Sequence, residues 1–376
     1  MISWRLTLEP VGVNVAWSLL RAEPWGEVAA IAAGVLRHTE DEAAAAFGLA
    51  PVGGRDALHR SPLVDPSREV ELATHLGMKL LPPELRAELT QETPGQMPRH
   101  SIDIAARGWL AGLPWEALVI DRTTRRRLIE IAVLGSAMTP GVASTRAVTP
   151  RASGDGSGLA VVDPGPPVPA TASLSPVFPG GYPRSLIGDE GLGEHEVVGP
   201  GTHPMSTADF GQTLRGTDWS RLLYLGHVTD QGADDPADIS LVFDHHGETD
   251  LLSARDWLLS PVSWPAPARV AIIGCGSDDA RWMETSGLPA AAVNAGAEIV
   301  TATRWTLPAD QAGDPRGPVA GLAVAVNHAH SSTTPIRSLR RWQLQQLDRW
   351  RNEATLATSP VYWAAVTTYC VPGRHS

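Results

Sequence analysis

Val270-Ala271-Ile272-Ile273-Gly274-Cys275-Gly276 is a run of four apolar residues that ends on a cysteine between two glycines. A run that short, continuously apolar and closed by glycine predicts a strand buried on both faces of a parallel sheet. Downstream lie a small-residue helix expected over Leu288 to Ala297 and a second run, Ile299-Val300-Thr301-Ala302. Strand, helix and strand in that order form the crossover unit of a parallel sheet. Upstream, Leu222-Leu223-Tyr224-Leu225 is a third run and leads into Gly226-His227. A fourth, Leu159-Ala160-Val161-Val162, ends in Asp163-Pro164. The expected fold class is therefore α/β, with a mostly parallel central sheet flanked by helices.

Further out the pattern changes. Ile239 to Phe243, with a turn at His246-Gly247, predicts a hairpin, after which Ser253 caps a short helix through Leu259. A long helix is expected from about Pro335 to Ala354, with Ile336, Leu339, Leu347 and Trp350 on its apolar face. At the other end, Ile2, Trp4, Leu6 and Leu8 alternate with polar residues, and Val11, Val13 and Val15 do so after Pro10. That predicts two short strands on either side of the proline. Ala29 to Arg37 and Glu40 to Phe47 read as Ala-rich helices, and Glu69 to Leu89 as a helix broken by Pro82-Pro83. From Thr139 to Pro183 the chain is rich in Pro, Gly and Ser and reads as mobile loop outside the strand Leu159–Val162. The expected division is an N-terminal α+β extension over 1–65, an intermediate region over 66–150 and an α/β core over 151–376.

Composition narrows the function classes. At 376 residues, 43% of them hydrophobic, the chain buries a large core without covalent staples. Two cysteines, Cys275 and Cys370, cannot build a disulfide framework. The formal charge of −11 argues against nucleic acid and against anionic membrane surfaces as partners. The longest uncharged stretch, Pro164 to Pro183, is full of proline and glycine and does not suit a membrane helix. No leader pattern opens the chain, so the expected location is the cytoplasm.

His227 and Cys275 both follow short buried strands and both adjoin glycine. In an open parallel sheet, ligands and reacting groups gather beyond the carboxyl ends of the strands. If the two strands are neighbours, these side chains emerge side by side. A free thiol has a pKa of ~8.5, and an adjacent imidazole converts it into a nucleophile near neutral pH. The adjoining glycines let the backbone turn sharply and approach a substrate. A dinucleotide-binding turn beginning at Gly274-Cys275-Gly276 would need its third glycine at 279, where Asp279 would repel a pyrophosphate.

Other polar clusters read as solvated surface. Asp244-His245-His246 falls in a hairpin turn, and His328 and His330 point apart on a helix. Asp230, Asp234, Asp235 and Asp238 lack the fixed spacing of a calcium loop. No metal and no cofactor are expected. Cys370 is expected to be a passive thiol.

In the order Tyr224-Leu225-Gly226-His227, Ile272-Ile273-Gly274-Cys275, Asn294-Ala295-Gly296-Ala297 and Thr301-Ala302-Thr303-Arg304-Trp305, the chain resembles the CHAT branch of the caspase-like cysteine proteases. Two outlying segments also resemble that family: Leu113-Pro114-Trp115-Glu116-Ala117-Leu118 and Ser359-Pro360-Val361-Tyr362-Trp363-Ala364-Ala365. The separation of His227 from Cys275, 48 residues, is similar to the caspase spacing of about 50. The resemblance implies a caspase-like sandwich and a peptide-bond hydrolase with His227 and Cys275 catalytic. It implies an oxyanion hole from the N–H groups of Val228 and Cys275. Asp278, Asp279, Arg304, Trp305 and Asp310 become candidates for substrate contact. Asp278 and Asp279 suggest a basic residue before the cleaved bond and Arg304 an acidic one, and both remain open. The implied partners are a protein or peptide substrate and a separate activator or sensor, in a bacterial defence or cell-death system. Two positions depart from the family pattern: Val228, where glycine commonly follows the histidine, and Gly276, where glutamate commonly follows the cysteine. The alternative is a catalytically inactive interaction scaffold of the same fold.

Overall fold

The computed structural model describes residues 2–22, 28–49, 61–91, 98–137, 146–148, 157–164, 177, 195–198, 205–229, 235–245, 248–274, 287–307 and 317–371. The chain divides into two compact units: Met1–Ala137, Ala280–Glu284 and Ile336–Thr367 in the first, and Met138–Asp279, Thr285–Pro335 and Thr368–Ser376 in the second.

The first unit begins with three antiparallel strands, β1 (Ile2–Val11), β2 (Asn14–Ala22) and β3 (Val28–Leu36). β4 (His100–Ala106) lies parallel to β1. A small hairpin, β5 (Val119–Asp121) and β6 (Arg126–Arg127), precedes β7 (Ala132–Ala137), and the sheet order is β3-β2-β1-β4-β7. Two expectations are corrected here. β1 runs straight through Pro10 and turns at Gly12, whose φ is +59°. Its pairing with β4 ends at Leu8, so at Pro10 no N–H is required on that side. Ala29 to Arg37, read as helix, instead contains β3, paired with β2 from Val28 to Leu36. Alanine is a good helix former, but propensity is a weak determinant and cross-strand pairing overrides it. Val28, Ile31 and Val35 remain exposed on this edge strand.

Helices form at Glu40–Phe47, at Pro66–Leu80 and Pro83–Thr90 on either side of the expected proline break, and at Pro335–Glu353. The Pro66–Leu80 and Pro335–Glu353 helices bring Glu69 and Trp350 to a buried ion pair. Arg127 Nη2 donates to Glu69 Oε2 at 2.8 Å, and Nη1 donates to the Ala117 carbonyl at 2.7 Å. Trp350 Nε1 donates to the same Glu69 oxygen at 3.4 Å. Both ionic side chains are at most 5% exposed, and burial pushes the Glu69 carboxyl above its ordinary range despite the guanidinium. The Leu113–Leu118 and Ser359–Ala365 segments are buried in this unit, and Gln343 Nε2 donates to the Trp363 carbonyl at 2.8 Å.

The second unit holds the α/β pattern. β8 (Gly158–Val162), β9 (His195–Val198), β10 (Arg221–Leu225), β14 (Arg269–Ile273) and β15 (Ile299–Thr303) form an all-parallel sheet in the order β15-β14-β10-β8-β9. Leu159, Val161, Leu222, Tyr224, Val270 and Ile272 share one face and pack with Phe210, Leu214, Trp257 and Ala291. These come from the Thr207–Gly216, Ala254–Leu259 and Leu288–Asn294 helices. The Pro318–Ser331 helix also packs on β10 and β14. A three-stranded antiparallel sheet, β11 (Val228–Thr229), β12 (Ser240–His245) and β13 (Glu248–Ser253), follows β10 in the chain. Ser253 caps the next helix as expected, accepting from the Asp256 N–H. The turn at His246-Gly247, and 139–145, 149–156, 165–176 and 178–183 of the proline-rich stretch, lie outside the described residues. No described helix is long and apolar enough to cross a membrane.

His330 corrects the expectation of solvated surface. It is 2% exposed at the end of its helix, with Nε2 2.8 Å from Thr301 Oγ1, which in turn lies 3.0 Å from Thr368 Oγ1. Burial, reinforced by the positive charges of Arg269 and Arg221, lowers its pKa to about 3. Asp244 is likewise buried, on β12, whereas His328 is exposed. Cys370 is buried.

Two stability predictions follow from these groups. Arg127→Met leaves Glu69 buried without its partner and should cost about 3–5 kcal/mol in urea unfolding. Because His330 is neutral when folded and titrates near pH 6.5 when unfolded, the stability it confers is full above pH 6.5 and is lost as pH falls toward 3. Relative to the parent, His330→Gln should remove the uptake of about one proton on unfolding in that window. Matched urea titrations between pH 7 and pH 4 read the difference.

Candidate functional site

The parallel registers align three strand ends. Leu225 stands opposite Val162 on one side and Ile273 on the other. The ladder continues one step past them, with the Asp163 N–H donating to the Leu225 carbonyl at 2.6 Å and the Gly226 N–H to the Ile273 carbonyl at 3.1 Å. The residues after β8, β10, β14 and β15 thus leave one edge of the sheet in the spatial order Asp163, His227, Gly274 and Arg304.

His227 is fixed through its backbone. Tyr224 is fully buried, and its hydroxyl lies 2.8 Å from the carbonyl oxygens of both His227 and Val242, to which it donates in turn. The Val242 N–H is shared between that hydroxyl at 3.0 Å and the His227 carbonyl at 3.1 Å. One phenol therefore joins the end of β10 to β12. Gly226 permits this close approach: a Cβ there would stand 3.0 Å from the Tyr224 ring and 3.1 Å from Pro164. The imidazole side chain itself is 13% exposed.

Gly274 is held from two sides. Its N–H donates to Thr303 Oγ1 at 3.3 Å, and Thr303 Oγ1 donates to its carbonyl. A Cβ at 274 would lie 2.7 Å from Val228 Cγ2 and 2.8 Å from the Gly226 carbonyl oxygen, so only glycine fits. Val228 is buried, and its methyl occupies the space that Gly274 vacates.

Asp163 is the residue that strand-by-strand reading passed over. It is 6% exposed, its φ is +47°, and its Oδ1 lies 3.7 Å from His227 Nε2. Its Oδ2 accepts the Val177 N–H at 3.1 Å. Burial raises its pKa, an effect that the facing His227 and the Val177 hydrogen bond oppose without cancelling. The signal was present in the sequence: Asp163 follows a short apolar run, as His227 and Cys275 do.

Arg304 and Trp305 are both buried at the end of β15. Cys275, Asp278, Asp279 and Asp310 lie outside the described residues. In the acidic loop, Asp235 and Asp238 both pair with Arg255 at 2.9 Å on the exposed surface. Among the described residues no cluster of three metal-binding side chains occurs.

Comparison with known proteins gives one kind of match. No protein-family model matches the chain, and no curated protein does. A Saccharomyces cerevisiae separase–securin complex solved at 3.0 Å resolution is similar in structure, with a TM-score of 0.51 and 9% identity. The match covers 98% of this chain and 30% of the separase chain. A second separase–securin structure, at 2.6 Å, aligns with a TM-score of 0.47 and 9% identity over the same shares. The chain therefore spans about 30% of the separase it matches. The likeness is one of fold, and it bears out the expected α/β class with a mostly parallel sheet between helices.

Tyr224→Phe removes one hydroxyl shared by three backbone groups. It should destabilise the protein by about 1–3 kcal/mol, read by chemical denaturation.

Proposed function

We propose that this chain is a caspase-like cysteine endopeptidase of the CHAT type, acting on a protein substrate through His227 and Cys275. The observation that carries this reading is the register of β10 and β14. Leu225 is level with Ile273, and His227 and Cys275 each follow two residues later. An imidazole and a thiol at the ends of adjacent parallel strands suit nucleophilic chemistry at the site such sheets favour.

In the proposed reaction His227 takes the Cys275 proton and the sulfur attacks the peptide carbonyl. The N–H groups of Cys275 and Val228 hold the oxyanion. His227 then gives its proton to the departing amine, leaving a thioester that water hydrolyses. The pairing of Val228 with Leu241 supports this role for Val228. With the Val242 N–H bonded to the His227 carbonyl, Val228 takes a non-hydrogen-bonded position, so the ladder does not use its N–H. Asp278, Asp279, Arg304, Trp305 and Asp310 are proposed to contact substrate. By analogy with a separase seen together with securin, a separate activator or sensor protein is proposed to control the chain. The proposed setting is a cytoplasmic bacterial defence or cell-death system. The second reading, a non-catalytic scaffold, is favoured by Val228 and Gly276, the two departures from the family pattern.

An electrophilic thiol probe separates the two. The endopeptidase reading expects selective labelling at Cys275 over the buried Cys370, slowed by His227→Ala. It also expects cleavage of a proteome-derived peptide library to fall about 100-fold or more in that variant and to vanish in Cys275→Ala. Cleavage unchanged in Cys275→Ala overturns the reading, and unselective labelling with no cleavage supports the scaffold.

A further inference from the structure

We propose that Asp163 is a positioning residue, whose carboxylate takes the ring N–H of His227 and fixes the imidazole so that its other nitrogen addresses the Cys275 thiol. The proposal rests on the reading of His227 as the base for Cys275.

Three independent features of Asp163 converge. The first is placement: β8 and β14 flank β10 in register, so Asp163 stands on one side of His227 as Cys275 follows the strand on the other. A base between a nucleophile and an orienting acid is the general arrangement for activating a weak nucleophile. The second is geometry. Oδ1 sits 3.7 Å from His227 Nε2, an ion-pair distance. Such contacts are often long in the absence of substrate and tighten when it binds. The other oxygen is anchored by the Val177 N–H, which aims the carboxylate.

The third feature is cost. Asp163 occupies left-handed backbone at φ +47°, which disfavours side-chain-bearing residues, although aspartate and asparagine tolerate it best. It is also a nearly buried carboxylate whose pKa is raised, first by desolvation. A folded-state pKa above the unfolded value means that its contribution to stability is full below the unfolded pKa of about 3.8 and is lost as pH rises through the folded value. At neutral pH the charge works against folding. Among the described residues the titratable group facing it is His227, from the end of β10. A strained, buried charge that destabilises the fold but contacts one partly exposed imidazole has the marks of a residue kept for function.

The test uses Asp163→Asn in the full chain, with Asp163→Glu and His227→Ala alongside. Asparagine keeps the shape, the tolerance of left-handed backbone and the acceptor for Val177, and removes only the charge. Two quantities are measured: the unfolding midpoint at pH 7 and pH 4, and the pH dependence of Cys275 alkylation by iodoacetamide, resolved from Cys370 by mass spectrometry. The expected result is a midpoint for Asp163→Asn at or above the parent's at pH 7, with the difference shrinking toward pH 4. Alkylation at pH 7 should slow roughly tenfold or more, its pH profile moving toward that of an ordinary thiol near ~8.5. Asp163→Glu should restore part of the rate. Unchanged alkylation in Asp163→Asn, while His227→Ala slows it, overturns the positioning role and leaves the functional reading standing. A lowered midpoint at pH 7, or loss of folding, overturns it in favour of a structural role. If neither variant slows alkylation, the Cys–His reading itself fails and the proposal with it.

Discussion

The register of β8, β10 and β14 is the constraint on which the second unit depends. Val162, Leu225 and Ile273 lie level in three adjacent parallel strands. Parallel pairing allows one register to satisfy the backbone while keeping Leu159, Val161, Leu222, Tyr224, Val270 and Ile272 on one buried face. A slip of one residue would exchange the two faces of a strand. It would also carry Asp163 or His227 a step away from the shared edge. The same pairing that packs each buried face therefore fixes which residues meet beyond it.

Close packing of backbone holds the residues at that edge in place. Tyr224 spends its hydroxyl on the His227 and Val242 backbone, so a core residue of β10 holds the loop that follows it. Gly274 lies against Val228 and the Gly226 carbonyl, and Thr303 grips both of its polar backbone groups. Little freedom remains in the residue that leads into Cys275. Val228 departs from the glycine common in the resembling family, yet its side chain is buried and matched to the missing side chain at 274. The departure is part of the packing.

Much of the strand arrangement was legible in the sequence because local pattern and tertiary pairing coincide. Short apolar runs closed by glycine gave β10 and β14 within a residue, and the strand-end logic singled out His227 and Cys275. The same logic applied to Leu159–Val162 would have reached Asp163, but a carboxylate before a proline reads as an ordinary turn. The Ala-rich β3 could not be read correctly, since nothing in Val28–Leu36 distinguishes a helix from a strand except the presence of β2 beside it. His330 and Asp244 were misread for a related reason. Their surroundings are set by residues distant in sequence, Thr301 beside the His330 ring and Met205, whose carbonyl accepts the Asp244 N–H.

The sequence alone determined the parallel α/β class of the second unit, the strands that end in chemistry-bearing residues and the absence of any disulfide framework. These follow from periodicity, glycine placement and cysteine count, which are local properties. Only the tertiary structure decided that β8 and β14 both flank β10, that Asp163 is strained, buried and turned toward His227, and that Tyr224 and Thr303 pin the two strand ends. Those depend on which strands pair and in what register, and that choice is made by burying whole faces at once, which no short stretch of sequence records.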